Sequence, residues 1–560
     1  MGNTFRRVGV VGLGTMGAGI AEVLARAGLD VVGIEINDEA LRRGRGHLET
    51  STGRAVKRGR LTEEGQREIL DRITLSTDFQ ALADRELVIE AVPERLELKR
   101  RVFAELDKVC GPDAVLATNT SSLSVTEIAV TTNRPSAIVG VHFFNPAPVM
   151  KLVEVISTVL TDDQATARVT ELVGALGKTP VAITDRAGFV ANRLLLPYLN
   201  DAARLYSEGR ATRTDIDTAM RLGTGLPMGP FMLSDMIGLD ILLEAMEAIY
   251  AETRDLRHVP APILSRLVTA GMLGRKTGRG FYTYERPGSG TVTEVPEEEP
   301  EETELPRVGV VGSGALALGI VRAAANAGAE VRFVAGDDAK VKSAWQALEQ
   351  AVGDDKLGKV TGSPDVARLS DCDLIIEAVA EDTAVKRSLF ATVDDVAHPG
   401  AILATTTSTT PVIELAMATD RPAAVVGLHF PEEGGPVVEV IGTEHTEPET
   451  LTRARALAAR LGLEPVACQD RAGFIVDALR FPYLNDAARM LAEGYADADS
   501  IDAAMTLGCG YPAGPIADLD RLGLERAVNV LRALYAENRA SALTPAPILE
   551  HHRTAGRTLR

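Results

Sequence analysis

The chain has 560 residues, 45% of them apolar and 24% charged, which suits a globular protein of several domains and excludes a disordered or fibrous one. Lys plus Arg number 59 against 78 Asp plus Glu, a net charge of −19, so neither nucleic acid nor an anionic membrane is the expected partner. The four cysteines, Cys110, Cys372, Cys468 and Cys509, form no CxxC pair and no metal-ligand spacing with histidine, so free thiols and no metal are expected. The opening residues run straight into a strand-like segment without a signal-peptide pattern, and charges interrupt every long apolar stretch. A cytoplasmic protein is the expectation.

In chain order, β-branched runs fall at 7–14, 30–36, 86–92, 114–120, 137–144 and 151–156, separated by helical patterns. Strands alternating with helices predict a doubly wound parallel sheet, Rossmann-like, over residues 1–186. The first run is followed by Gly12-x-Gly14-x-x-Gly17 and a helix. Gly12 permits the tight turn, Gly14 admits a pyrophosphate to the backbone, and Gly17 lets helix pack on strand. The second strand ends at Glu35, whose carboxylate can accept from ribose hydroxyls and would repel a 2′-phosphate, so NAD is the expected cofactor. Basic residues Arg54, Lys57, Arg58 and Arg60 follow on a helical stretch, suiting either a phosphate-bearing ligand or a solvated face.

Further on come Asn119-Thr120-Ser121-Ser122, then His142-Phe143-Phe144-Asn145-Pro146, then Glu154. All follow predicted strands, where a doubly wound sheet places its ligands. A histidine there can take a hydroxyl proton as hydride leaves the same carbon, and Glu154 can hold its tautomer. From about Gly188 the apolar residues recur at helical spacing, predicting an all-helical domain over 187–285.

The chain is then written again. DRAGFVANRLLLPYLNDAARLYSEG (185–209) returns at 470–494 with 16 of 25 positions identical, and RVGVVGLG (7–14) returns as RVGVVGSG (307–314). This is duplication of a whole protomer. The joint, 286–306, carries Pro, Gly, Ser and seven Glu between 294 and 304, and is expected to be an extended acidic linker. A second Rossmann-like domain is expected at 307–471 and a second helical domain at 472–560.

Taken together, Gly12-x-Gly14-x-x-Gly17, NTSS, HFFNP, LVEVI, GFVANRLL, DIDTAMRLG and GRKTGRGFY resemble the 3-hydroxyacyl-CoA dehydrogenases over residues 6–284. The resemblance implies NAD-dependent oxidation of an (S)-3-hydroxyacyl-CoA, short-chain as in the 3-hydroxybutyryl-CoA enzymes and within fatty acid β-oxidation. It places the active site on Ser121, His142, Glu154 and Asn192, and puts Glu94, Lys99 and Asn145 beside the nicotinamide or substrate. It sets CoA contacts at Ser51 and Arg58. It also implies pairing of helical domains, here an intrachain pseudo-dimer with further homo-oligomerisation left open. A dicarboxylic 3-hydroxyacyl-CoA and a free hydroxy or sugar acid are the alternative substrates.

The second copy keeps Gly312, Gly314, Glu381, Lys386, Ser408, His429 and Glu439. It has Ala317 for Gly17, Ala335 for Glu35, Glu432 for Asn145 and Asp477 for Asn192, and lacks two residues between His429 and Glu439. A carboxylate disfavours developing oxyanion charge, so a degenerate, non-catalytic copy is expected.

Overall fold

The computed structural model describes residues 5–293, 305–351, 354–432 and 434–560. Most of the acidic run expected to act as a tether, 294–304, lies outside the described residues. The start of the expected linker does not extend. Residues 286–293 fold back on the helical region, with Glu285 N–H donating to the Thr291 carbonyl at 3.1 Å and Thr293 N–H to that of Thr283 at 2.9 Å.

Each half opens with an eight-stranded sheet. In the first, β1 (Arg7–Val11), β2 (Asp30–Ile34), β3 (Ile73–Ser76), β4 (Leu87–Glu90), β5 (Val115–Asn119), β6 (Ile138–Phe143), β7 (Leu152–Ser157) and β8 (Thr179–Thr184) lie in the order β3-β2-β1-β4-β5-β6-β7-β8. The central strands are buried on both faces, which is why they read as unbroken apolar runs. β3 and β8 do not stand out in the sequence, because each is an edge strand with exposed positions. Two strands depart from the all-parallel expectation: β7 runs antiparallel to β6, and β8, parallel to β7, shares its reversed direction. Only residues 144–151 join β6 to β7, too few for the crossover a parallel pair needs.

The second sheet repeats the arrangement with β9 (Arg307–Val311), β10 (Glu330–Val334), β11 (Val360–Ser363), β12 (Leu374–Glu377), β13 (Ile402–Thr405), β14 (Val425–His429), β15 (Val437–Gly442) and β16 (Glu464–Gln469).

After each sheet the chain is helical. The long helices Ala191–Ser207 and Val476–Ala492 pack against each other at the centre of the molecule, and one apolar core runs through both helical regions. The regions are also exchanged. Helix Arg213–Thr224 of the first half lies on β15 and β16, while the π-turn Ala504–Gly508 of the second half lies on β7. Backbone joins them directly, with Gln469 N–H donating to the Arg210 carbonyl at 2.9 Å. Arg257, 6% exposed, reaches across to the Pro482 carbonyl at 3.1 Å and pairs with Asp201 and with Asp486 of the second half.

No helix among the described residues is long and apolar enough to cross a membrane.

Candidate active site

The glycine turn after β1 is built as its spacing predicts. Gly12 has φ +88°, and a Cβ there would lie 2.9 Å from the Ala91 carbonyl oxygen. A Cβ on Gly17 would lie 1.7 Å from the Gly12 carbonyl oxygen, so that position admits no side chain without moving the loop. Gly14 is different: nothing lies within 4 Å of where its Cβ would be, which leaves the helix N-terminus of Thr15–Arg26 open to a phosphate. Glu35 follows β2 and turns back on this loop, Oε1 accepting from Leu13 N–H at 2.6 Å and Oε2 from Ile36 N–H at 3.1 Å. A carboxylate held at that place fits the ribose of an adenine dinucleotide.

The loop opens into a cavity of about 930 Å³ whose wall includes Gly12, Gly14, Glu35, Glu94, Ser121, His142, Asn145 and Asn192. The sheet register makes the central contact. His142 on β6 stands directly opposite Glu154 on β7, and His142 Nδ1 meets Glu154 Oε2 at 2.6 Å. With Nδ1–H donating to the carboxylate, Nε2 is left as the basic nitrogen. Glu154 is fully buried. Its Oε1 accepts from the N–H groups of Val190 and Ala191 at 3.0 and 3.1 Å, so the turn that leads into helix Ala191–Ser207 fixes the carboxylate. That helix then presents Asn192, whose amide lies 3.4 Å from the Ser121 carbonyl. Phe144 and Phe189 flank the imidazole, ring centroids 4.3 and 5.8 Å away.

Glu94 faces the cavity and accepts from Ser121 N–H at 2.9 Å and from the Thr120 hydroxyl. Lys99 is placed otherwise than expected. It is fully buried, and its ammonium donates to Glu90 at 2.9 Å and to the Asn119 carbonyl at 2.8 Å, with Glu94 at 3.4 Å. Its three protons are spent inside the fold, so it holds Glu94 and the end of β5 from behind and does not line the cavity. Burial drives the Glu90 carboxyl upward, against the lowering effect of the Lys99 charge.

Ser51 and Arg58 do not line the cavity. Ser51 is half-buried on helix Asp38–Lys57, and Arg58, its C-cap, is exposed. The same helix does send Arg43 and His47 to the cavity wall. Neither was singled out in the sequence, although the spacing 43, 47, 51 puts both on one face with Ser51.

In the second half the pairing of histidine and glutamate survives the two-residue deletion, because the register His429–Glu439 is unchanged. Its surroundings differ. Asp477 Oδ2 lies 3.7 Å from His429 Nε2, and Arg526 lies 3.2 Å from Asp477. Glu432 is held by Arg480 and Arg521, each at 2.7 Å, and Asp518 joins the same cluster. Burial works against the Glu432 charge, but the hydrogen bonds and charges of Arg521 and Arg480 together outweigh it and pull the carboxyl down to about 2. Burial works against a charged His429, but the hydrogen bond to Glu439 and the charge of Asp477 outweigh it and raise the imidazole above its ordinary range.

Comparison with known proteins follows the same division. The family model described as the 3-hydroxyacyl-CoA dehydrogenase NAD binding domain matches residues 7–186 and again 307–471. The model for the 3-hydroxyacyl-CoA dehydrogenase C-terminal domain matches 188–284 and 473–560. The 3-hydroxybutyryl-CoA dehydrogenase of Mycobacterium tuberculosis is 47% identical over 286 residues, 51% of this chain and 100% of the relative. The 3-hydroxyadipyl-CoA dehydrogenase of Escherichia coli is 33% identical over 537 residues, 95% of this chain and 94% of its own. Among solved structures, a 3-hydroxybutyryl-CoA dehydrogenase from Escherichia coli matches with TM-score 0.74 at 30% identity, covering 98% of each chain.

Proposed function

Since the chain belongs to the 3-hydroxyacyl-CoA dehydrogenase family in duplicated form, we propose that its first half carries out the reaction, on a short monocarboxylic 3-hydroxyacyl-CoA such as 3-hydroxybutyryl-CoA, while its second half is a non-catalytic partner. The protein is an NAD-dependent oxidoreductase of this family. The observation that carries the assignment to the first half is the His142–Glu154 pair, 2.6 Å apart, set in the same cavity as the Gly12–Gly17 turn.

The Gly12–Gly17 turn and Glu35 would hold NAD, which when bound would supply the hydride acceptor. His142 Nε2 takes the C3 hydroxyl proton, and Glu154 stabilises the imidazolium that results. The Ser121 hydroxyl and the Asn192 and Asn145 amides, around the same cavity, are donors suited to the C3 oxygen and the thioester carbonyl. Glu94, backed by Lys99, fixes the Ser121 backbone. Ser51 and Arg58 fall to the CoA moiety outside the cavity.

The short monocarboxylic chain is supported by comparison of the halves. Arg480, Asp518, Arg521 and Arg526 of the second half correspond to Leu195, Leu233, Met236 and Ile241 of the first. Met236 and Ile241 are exposed apolar side chains. An ω-carboxylate laid against that set would need a cation, and the first half offers none there.

The second half supports the opposite reading. His429 Nε2 faces the Asp477 carboxylate at 3.7 Å where the first half has the neutral Asn192, and that charge disfavours a developing oxyanion beside it. The packing of Ala191–Ser207 on Val476–Ala492 supports an intrachain pseudo-dimer.

Initial rates in both directions test the substrate reading. Acetoacetyl-CoA with NADH and 3-hydroxybutyryl-CoA with NAD are expected to exceed the NADPH and NADP reactions, and 3-hydroxyadipyl-CoA as substrate, by at least about tenfold in kcat/KM, one charged contact's worth. A preference for the dicarboxylic substrate would overturn the reading of Leu195, Leu233, Met236 and Ile241.

A further inference from the structure

A buried hydroxyl of the second half reaches the first half's site. Tyr495 lies just after helix Val476–Ala492 and donates from its hydroxyl to the Phe189 carbonyl at 3.0 Å. Tyr495 is 4% exposed and Phe189 fully buried. Phe189 has φ +48°, in the left-handed region that bulky residues rarely adopt. The two N–H groups that follow it, of Val190 and Ala191, are those that hold Glu154. Arg186 and Arg193, on either side of this turn, stack their guanidinium groups over the Tyr495 ring at 5.0 and 5.7 Å. A strained turn that aims two donors at a buried carboxylate persists only where its surroundings over-determine it, and here those surroundings come from the other half.

The other aromatic neighbour of His142 is backed from the same side. A Cβ on Gly508 of the second half would lie 2.8 Å from the Leu152 side chain and 3.1 Å from the Phe144 ring, so the π-turn Ala504–Gly508 packs closely against Phe144 at a glycine.

The arrangement is not symmetric. Phe474 makes the same turn, φ +50°, and the N–H groups of Ile475 and Val476 donate to Glu439. The residue that corresponds to Tyr495, however, is Arg210, whose side chain goes to Glu208 at 2.7 Å. The hydroxyl is present only on the side where Asn192 is retained.

We propose that Tyr495 is a positioning residue for the first half's proton-transfer pair, supplied by the second half. Its hydroxyl fixes the Phe189 carbonyl, the turn that follows fixes Glu154, and Glu154 fixes the tautomer and basicity of His142. The proposal rests on the reading of His142 and Glu154 given above.

The test uses the full chain. Tyr495→Phe keeps the ring and removes the hydroxyl. It is expected to lower kcat with acetoacetyl-CoA and NADH about five- to thirty-fold, the effect of one buried hydrogen bond and its orphaned carbonyl, to leave KM within about twofold, and to move the pH at which the rate falls. Tyr483→Phe is the control: that tyrosine is buried in the same packing between halves, and its hydroxyl has no partner among the described residues. It should change neither kcat nor the pH profile. The His142 imidazole titration, followed by NMR, reads the same shift without turnover.

Wild-type kcat, pH profile and His142 titration in Tyr495→Phe would overturn the proposal. So would an equal change in Tyr483→Phe. His142→Ala separates the two levels: if it stays active, the reading of the site fails, whereas if it is inactive and Tyr495→Phe is unchanged, only the role of Tyr495 fails.

Discussion

Gly17 and its duplicate Ala317 show what one methyl group does to this fold. The carbonyl oxygen of Gly12 lies 1.7 Å from where a Gly17 side chain would begin. In the second half that side chain exists, and the loop glycine has moved, from φ +88° at Gly12 to φ +145° at Gly312. The fold tolerates the methyl group, while the loop that would receive a pyrophosphate changes shape. Gly17→Ala is therefore expected to fold with little change in melting temperature and to weaken NAD binding at least about tenfold, or 1.4 kcal/mol, as read by nucleotide fluorescence titration. Unaltered affinity would contradict this account of the loop. A second residue-scale expectation concerns His258. Burial pushes its imidazole down to about 4, below the value of about 6.5 that it takes unfolded. A depressed histidine adds stability that is complete above pH 6.5 and is lost as pH falls through 4. Unfolding measured across that range should show this loss, and His258→Gln should flatten it.

At the scale of elements, β6 and β7 do most to build the site, because an antiparallel pair joined by residues 144–151 sets His142 directly across from Glu154. The strands, the glycine turn and the duplication were legible because each is local and periodic. The antiparallel β7, the edge strands β3 and β8 and the burial of Lys99 were not, since each depends on neighbours distant in sequence. Lys99 is instructive: its spacing from Glu94 reads as an exposed ion pair or a cofactor contact, yet the partner that decides its role is Glu90 at the end of β4. Arg257 was equally illegible. It sits in a 3-10 turn (Leu256–His258) and is enclosed by Asp201 and by Asp486 of the other half. Burial and the Arg257 charge act in opposite directions on Asp486, burial prevailing to lift it to about 6. Arg257→Ala leaves two half-buried carboxylates, Asp201 and Asp486, facing each other without a cation, and should cost about 3 kcal/mol in denaturant unfolding of the full chain. A loss below about 1 kcal/mol would show that solvent reaches the cluster.

At the scale of the molecule, the halves are interlocked: each helical region leans on the other half's sheet, and one apolar core joins them. A fragment ending at residue 293 would expose the face of Ala191–Ser207 now covered by Val476–Ala492, and is expected to self-associate or to lose stability, as ultracentrifugation and thermal unfolding would show. A monomeric, soluble and fully active fragment would contradict the pseudo-dimer. The proposed division of labour rests on the surroundings of the two histidines. Both meet a buried glutamate across the same register, but His142 opens on a cavity shared with the glycine turn, and His429 opens on Asp477 and Arg526. The most direct measurement is NADH oxidation with acetoacetyl-CoA by the wild-type chain, His142→Ala and His429→Ala. Loss of about 10²–10⁴ in rate on His142→Ala, with His429→Ala near wild type, is the predicted result. A comparable loss on His429→Ala would mean that both halves turn over, and would contradict the assignment of the chemistry to the first.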